Sequence, residues 1–200
     1  MRTLLDEAVR ALGQIIVFSA LPFVVWVFAA RKRQPFCPWI GLKKPVVAEP
    51  GRFVIGIAAS LVVAAAMSPV LDSLWPSDVQ LANARFAGQG LAALPGAVVF
   101  AFFATALPEE VLFRGFIGAR LGERLGFAAG NTIQAALFGL LHGAALFGAL
   151  GLWPPLAVVA FTGTLGWIMG YVNHKAGGSI LPSVVLHGVA NAYASALIMF

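Results

Sequence analysis

Long apolar stretches separated by short polar segments dominate the chain. Six of them are each close to the ~20 residues that a helix needs to cross a hydrocarbon layer about 30 Å thick. They cover residues 11–30, 53–71, 91–113, 127–147, 152–172 and 180–200. The pattern predicts an all-α fold, a polytopic transmembrane helix bundle of about six spans. We expect one domain over residues 1–200, with no separate soluble domain.

Composition supports the membrane class. Hydrophobic residues make up 60% of the chain and charged residues 10%, whereas an ordinary soluble domain is about 25% charged. The net charge is +5, but the basic residues lie between the apolar stretches and form no basic face with interleaved aromatic residues. We therefore expect the lipid bilayer as a partner and no binding of nucleic acid.

Three polar clusters interrupt the apolar stretches. They are Glu109, Glu110 and Arg114 in the third stretch, Phe138 and His142 in the fourth, and His187 and Asn191 in the sixth. A charged group near the centre of a bilayer costs about 3 kcal/mol or more, so these residues need partners or a function. Each cluster contains a pair spaced by four residues, and this spacing puts both members on one helix face.

The depths of the clusters are compatible with a shared site. A helical hairpin that turns near residues 125–126 would put Glu109 and His142 at the same level, about 24 Å from the turn at 1.5 Å per residue. His187 lies about 10 Å into the sixth stretch, and the levels agree if the hairpin projects beyond the cytoplasmic surface. We expect the clusters to converge on one buried polar site between helices.

The residue types of this site are those needed to add water to a peptide bond. A carboxylate held away from bulk water can act as a general base, and imidazole and carboxamide groups can donate hydrogen bonds to an oxyanion. Glu110 is placed to be held in an ion pair by Arg114, whereas Glu109 projects about 100° away and is the expected base. No Ser-His-Asp arrangement is evident, and the His-Glu-x-x-His zinc motif is absent.

The motifs Glu-Glu-x-x-x-Arg, Phe-x-x-x-His and His-x-x-x-Asn, in this order on successive predicted helices, resemble the CPBP family. This family comprises the type II CAAX prenyl endopeptidases and their bacteriocin-processing or Abi relatives. The motif-bearing core covers about residues 91–200. The resemblance implies an intramembrane endopeptidase that acts on a membrane-tethered or lipidated substrate such as a prenylated CAAX protein. It assigns catalysis to Glu109, Glu110, His142, His187 and Asn191, with Arg114 and Phe138 in support. The small size and compact loops of the chain indicate a prokaryotic inner membrane.

The need for a metal is left open by the sequence. The family is described both as metal-dependent and as using water activated by glutamate without a metal. Glu109, His142 and His187 carry oxygen and nitrogen ligands that suit zinc. Asn191 is a poor fourth ligand, which favours glutamate-activated water and no required cofactor.

Two functions without proteolysis are compatible with the same pattern. One is a membrane immunity or scaffold protein that uses the same fold without an enzymatic activity. The other is a proton-coupled transporter, because intramembrane Glu and His residues also relay protons. Transporters often contain inverted repeats, and we find no such repeat here.

The distribution of Lys and Arg predicts the orientation of the chain, because cytoplasmic loops carry an excess of these residues. One side of the six-span arrangement carries Arg2, Arg10 and Arg85. The other carries Arg31, Lys32, Arg33, Lys43, Lys44, Arg52, Arg120, Arg124 and Lys175. Both termini are therefore expected outside the cytoplasm. A reporter that works only in the cytoplasm should be inactive when fused after Phe200, and activity there would require an odd number of spans.

Overall fold

The structure, a computed structural model, describes residues 4–74, 82–144 and 146–200. These ranges are built from helices and contain no strand, which confirms the predicted all-α class. The helices are α1 (Leu4–Ala29), α2 (Phe36–Trp39), α3 (Pro50–Leu74), α4 (Gly90–Leu125), α5 (Phe127–Ala144), α6 (Phe147–Leu150), α7 (Trp153–Lys175) and α8 (Leu181–Leu197).

Three helices of the described ranges are long and apolar enough to cross a membrane, namely α1, α4 and α7. In α3 the apolar section is shorter and covers Pro50–Ala66. The membrane class therefore agrees with the prediction, while the count of six spans is not confirmed. The helix that contains the third predicted span continues past residue 113 to Leu125. Arg114 does not end the helix at a membrane surface, since its side chain is buried and paired inside the bundle.

The predicted hairpin between α4 and α5 turns at Gly126. Its φ of +80° lies in the left-handed region, which glycine adopts without the steric cost that a Cβ imposes. Beyond the turn the two backbones approach closely, because a Cβ on Gly130 would lie 2.4 Å from the nitrogen of Gly122. Such close contact between small residues is typical of helix packing in lipid.

Glycines and amides hold α5 against α7. A Cβ on Gly139 would lie 2.5 Å from the Val159 carbonyl oxygen, so the two helices touch backbone to backbone. Asn131 Nδ2 donates a hydrogen bond to the Trp167 carbonyl oxygen at 2.9 Å, and Gln134 Nε2 donates one to a carbonyl oxygen of α7 at 3.1 Å. These contacts fix the position of α5, and with it the level of His142.

The segment between α1 and α3 packs directly on α4 and on the start of α8. A Cβ on Gly115 of α4 would lie 2.3 Å from the Ile40 carbonyl oxygen. The Ile180 N–H donates to the Gly41 carbonyl oxygen at 2.9 Å, and Ser179 Oγ donates to the Lys43 carbonyl oxygen at 2.6 Å. The first residues of α8 are therefore anchored before the helix reaches the polar clusters.

Gly130→Ala is expected to destabilise the protein, because the added Cβ would meet backbone atoms of α4 that cannot rotate away. Overpacking of this kind costs about 1–3 kcal/mol. The matched control is Gly122→Ala, where a Cβ meets nothing within 4 Å and alanine favours the helix by up to about 1 kcal/mol. Thermal unfolding in detergent should give a lower Tm for Gly130→Ala only. A larger loss for Gly122→Ala would contradict the close approach.

Candidate active site

The charged and imidazole groups of the three clusters meet between α4, α5 and α8. Glu109 Oε2 lies 3.8 Å from His142 Nε2 and 3.8 Å from His187 Nε2. These separations are too long for direct hydrogen bonds. Glu109 Oε2 is buried and has no hydrogen-bond partner within the described ranges. The structure thus confirms the predicted convergence and the common level of Glu109 and His142.

Both histidines are oriented through their other ring nitrogen. His142 Nδ1 lies 2.8 Å from the Phe138 carbonyl oxygen, and His187 Nδ1 lies 3.0 Å from Glu110 Oε1. A carbonyl and a carboxylate only accept, so each Nδ1 donates its hydrogen. In the neutral imidazole this leaves Nε2 as an acceptor, and both Nε2 atoms point at Glu109.

Glu110 is fully buried and is held by three side chains. Arg114 NH1 and His187 Nδ1 each lie 3.0 Å from Oε1, and Ser183 Oγ donates to Oε2 at 2.6 Å. A buried charge is tolerated when it is paired and hydrogen-bonded. The predicted Glu110–Arg114 ion pair is therefore present, and it is part of a larger network than the spacing indicated.

Ser183 and Asn173 are members of this network that the sequence analysis missed. Asn173 Nδ2 donates to Ser183 Oγ at 2.7 Å, and Asn173 Oδ1 accepts from the Ser183 N–H at 3.2 Å. Both residues are buried. They lie ten residues apart on different helices, so no helical repeat connects them. The only feature of the sequence that points to Ser183 and Asn173 as site residues is that they are polar residues within or next to apolar stretches.

The Phe138 ring packs between the Arg114 guanidinium and the two histidine rings. The Arg114 guanidinium carbon lies 4.1 Å from the centre of the Phe138 ring, a cation–π contact. The same ring lies 4.3 Å from the His142 ring and 5.0 Å from the Phe113 ring. The structure thus places Arg114 and Phe138 in contact with the centre, and their supporting roles remain a prediction.

Asn191 lies one helical turn away from the level of Glu109. Its Nδ2 donates to Thr105 Oγ1 at 2.9 Å. Thr105 precedes Glu109 by four residues and Asn191 follows His187 by four, so α4 and α8 pair side chains in successive layers about 6 Å apart. Within the described part of the chain, no hydrogen bond joins Asn191 to either glutamate. Its predicted catalytic role remains a prediction.

The backbone of α4 changes geometry around the two glutamates. Sections of π-helix cover Phe100–Ala106 and Val111–Gly118, and the α-helical turn Leu107–Glu110 lies between them. Pro108 has no N–H to donate to the preceding turn. Local π-helix often occurs at functional sites, where it changes the direction of side chains. Here a π-helical section lies on each side of the turn that contains Glu109 and Glu110. The sequence analysis did not predict these π-helical sections.

Fold and site together define an integral membrane protein with a carboxylate–imidazole centre between its helices. A family model described as type II CAAX prenyl endopeptidase Rce1-like matches residues 91–193, just over half of the chain. The protein belongs to this Rce1-like family, which is generally a family of membrane endopeptidases. The matched range contains every side chain of the centre described above. No curated protein and no solved structure matches the chain.

Glu110→Gln should destabilise the fold, because it leaves the Arg114 guanidinium buried without its counter-charge. Breaking a buried ion pair in this way costs about 3–5 kcal/mol. The double variant Glu110→Gln/Arg114→Met should recover part of the loss, since it removes the unpaired charge. Thermal unfolding of the purified variants in detergent measures both effects.

The control is Glu123→Gln, which removes the exposed pair with Arg120 at 2.8 Å. Exposed pairs are worth about 0–1 kcal/mol, so its Tm should change little. Equal losses in Glu110→Gln and Glu123→Gln would show that the buried pair has no special importance for the fold.

Proposed function

We propose that the protein is an intramembrane endopeptidase that hydrolyses a peptide bond of a membrane-tethered substrate with water activated by Glu109. The main support for this proposal is that His142 Nε2 and His187 Nε2 each lie 3.8 Å from Glu109 Oε2. Family membership supports the broader assignment to membrane endopeptidases. We further propose that Glu109 is the base and that the substrate is tethered to the membrane.

The hydrogen-bonding character of the three atoms favours water between them. Each imidazole uses Nδ1 as a donor, so its neutral Nε2 accepts, as does the Glu109 carboxylate. Three acceptors that face one point need a donor. A water molecule supplies two O–H groups and keeps its lone pairs for attack on a carbonyl carbon.

In the proposed reaction Glu109 takes a proton from this water while the water oxygen bonds to the carbonyl carbon. The carbonyl oxygen becomes an oxyanion. His187 can stabilise it in the form of the protein whose His187 ring already carries a second proton, on Nε2; in that form Glu109 and His142 accept the two O–H groups of the water. The Glu110 carboxylate beside Nδ1 stabilises that protonated ring. Asn191 Nδ2 has a second hydrogen besides the one given to Thr105, and it offers a further donor. The C–N bond then breaks as Glu109 returns its proton to the leaving nitrogen.

Zinc was the alternative considered for the same three residues, whose ligand types suit it. Asn191 is a poor fourth ligand and lies one helical turn from Glu109, bound to Thr105. The proposed reaction therefore uses Glu109 as the proton acceptor and has no step through a metal. A chelator provides the direct test of this part of the proposal.

The surroundings of the centre support a substrate held in the bilayer. Leu141, one residue before His142, is 62% exposed, and Val189, two residues after His187, is 49% exposed. These side chains project about 100° and 200° away from the histidines on their helices, so the outer faces of α5 and α8 suit contact with lipid at the depth of the centre. From the family match we propose a lipidated protein tail, of the prenylated CAAX type, as the substrate class. From the small size and short loops of the chain we propose a prokaryotic inner membrane as the location.

Glu109→Gln should abolish hydrolysis of a membrane-tethered fluorogenic peptide while leaving the Tm unchanged, because an amide cannot take the proton. His142→Ala, His187→Ala and Asn191→Ala should each lose about 10²-fold or more if they position water or bind the oxyanion. Glu123→Gln is the control, since it removes an exposed carboxylate of the same helix and should keep full turnover. A chelator should have no effect on the wild-type rate.

Full turnover by Glu109→Gln would show that another group is the base. Loss of activity with a chelator, and its return with zinc, would replace the metal-free mechanism. Retention of the cellular function by all four active-site variants would favour the non-enzymatic immunity or scaffold role over proteolysis.

A further inference from the structure

A groove lies between the last turns of α1 and α4, away from the catalytic centre. Its volume is about 610 Å³, and Val25, Ala29, Phe116 and Leu121 form its apolar wall. Both helices are candidate spans, and they end at Ala29 and Leu125. The groove therefore lies where α1 ends, a level at which this span is expected to reach the lipid headgroups, and it faces the last turns of α4. None of the proposed catalytic side chains lines it.

The polar end of the groove carries an excess of positive charge. Arg33, Arg120 and Arg124 line it together with one carboxylate, that of Glu123. Glu123 pairs with Arg120 at 2.8 Å, and the Arg120 guanidinium also lies over the Trp39 ring at 4.5 Å. Arg33 and Arg124 are exposed, and neither has an ion-pair partner in the part of the chain that the structure describes. Two uncompensated cations thus lie beside an apolar wall.

We infer that this groove binds one phospholipid with an anionic headgroup. Guanidinium groups bind phosphate oxygens with two parallel hydrogen bonds, so Arg33 and Arg124 suit the headgroup. The first methylene groups of an acyl chain fit along Val25, Ala29 and Leu121. Basic pockets between transmembrane helices recognise anionic headgroups in this way. The occupant bridges α1 and α4, and it braces the helix that carries Glu109 and Glu110.

The two arginines belong to different segments, which argues for a built site rather than a general basic surface. Arg33 follows α1, and Arg124 lies in the last turn of α4. Arg31 and Lys32 are equally basic and neighbour Arg33, but they do not line the groove. The chain therefore offers a control pair that makes the same change in net charge and lies next to Arg33 in the sequence.

The test is native mass spectrometry of the full-length protein titrated with phosphatidylglycerol or phosphatidylcholine of identical acyl chains. The wild type should bind one phosphatidylglycerol at least about tenfold more tightly than phosphatidylcholine. Arg33→Gln/Arg124→Gln should lose this preference, whereas Arg31→Gln/Lys32→Gln should keep it. Equal losses in the two double variants, or equal affinity of the wild type for both lipids, would overturn the inference.

A second pair of variants tests the apolar part of the groove. Ala29→Trp fills it and should weaken phosphatidylglycerol binding. The adjacent Phe28→Trp should leave binding unchanged, because Phe28 is 86% exposed and does not line the groove. Displacement of phosphatidylglycerol by inorganic phosphate as readily as by short-chain phosphatidylglycerol would show that the site takes an anion and no lipid. The variants lie outside the catalytic centre, so this result is independent of the proposed protease activity.

Discussion

The buried ion pair of Glu110 and Arg114 is the interaction on which the centre depends. Both charges lie inside a candidate span, where neither is tolerated without the other. Glu110 also binds His187 and Ser183 of α8, and Ser183 connects it to α7 through Asn173. Arg114 packs on Phe138 of α5. One neutralised pair therefore joins four helices, and its loss would release each of them.

Adjacent carboxylates on one helix acquire different tasks through this arrangement. Glu110 is enclosed by its partners, so its geometry is fixed and its oxygens are occupied. Glu109 lies about 100° further around the helix, and there its Oε2 faces two imidazoles without a direct hydrogen bond. The first carboxylate holds the bundle and orients His187. The second keeps an oxygen available for a proton, as a general base requires.

Close backbone contacts set the depth at which these groups meet. Gly126 turns the α4–α5 hairpin, Gly130 brings the two helices together, and Gly139 seats α5 on α7. The hydrophobic effect does not drive helices together in lipid, so close van der Waals packing at small residues stabilises their association instead. The inferred phospholipid groove adds a brace at the end of α4. The proposed catalytic centre and the inferred phospholipid groove thus share one helix, α4.

Local rules explain what the sequence by itself determined. Composition predicted the membrane class, the succession of the third and fourth apolar stretches predicted a hairpin that turns near residues 125–126, and the four-residue spacing predicted the Glu110–Arg114 pair. Counting residues from the turn put Glu109 level with His142. Tertiary structure decided the choice of partners between helices: the Ser183–Asn173 contact, the bond from His187 to Glu110, and the separate layer of Asn191. It also showed that the helix of the third stretch is continuous to Leu125. The spacing within a helix is fixed by its pitch, whereas partners on different helices depend on rotation and packing, which no repeat in a single sequence encodes.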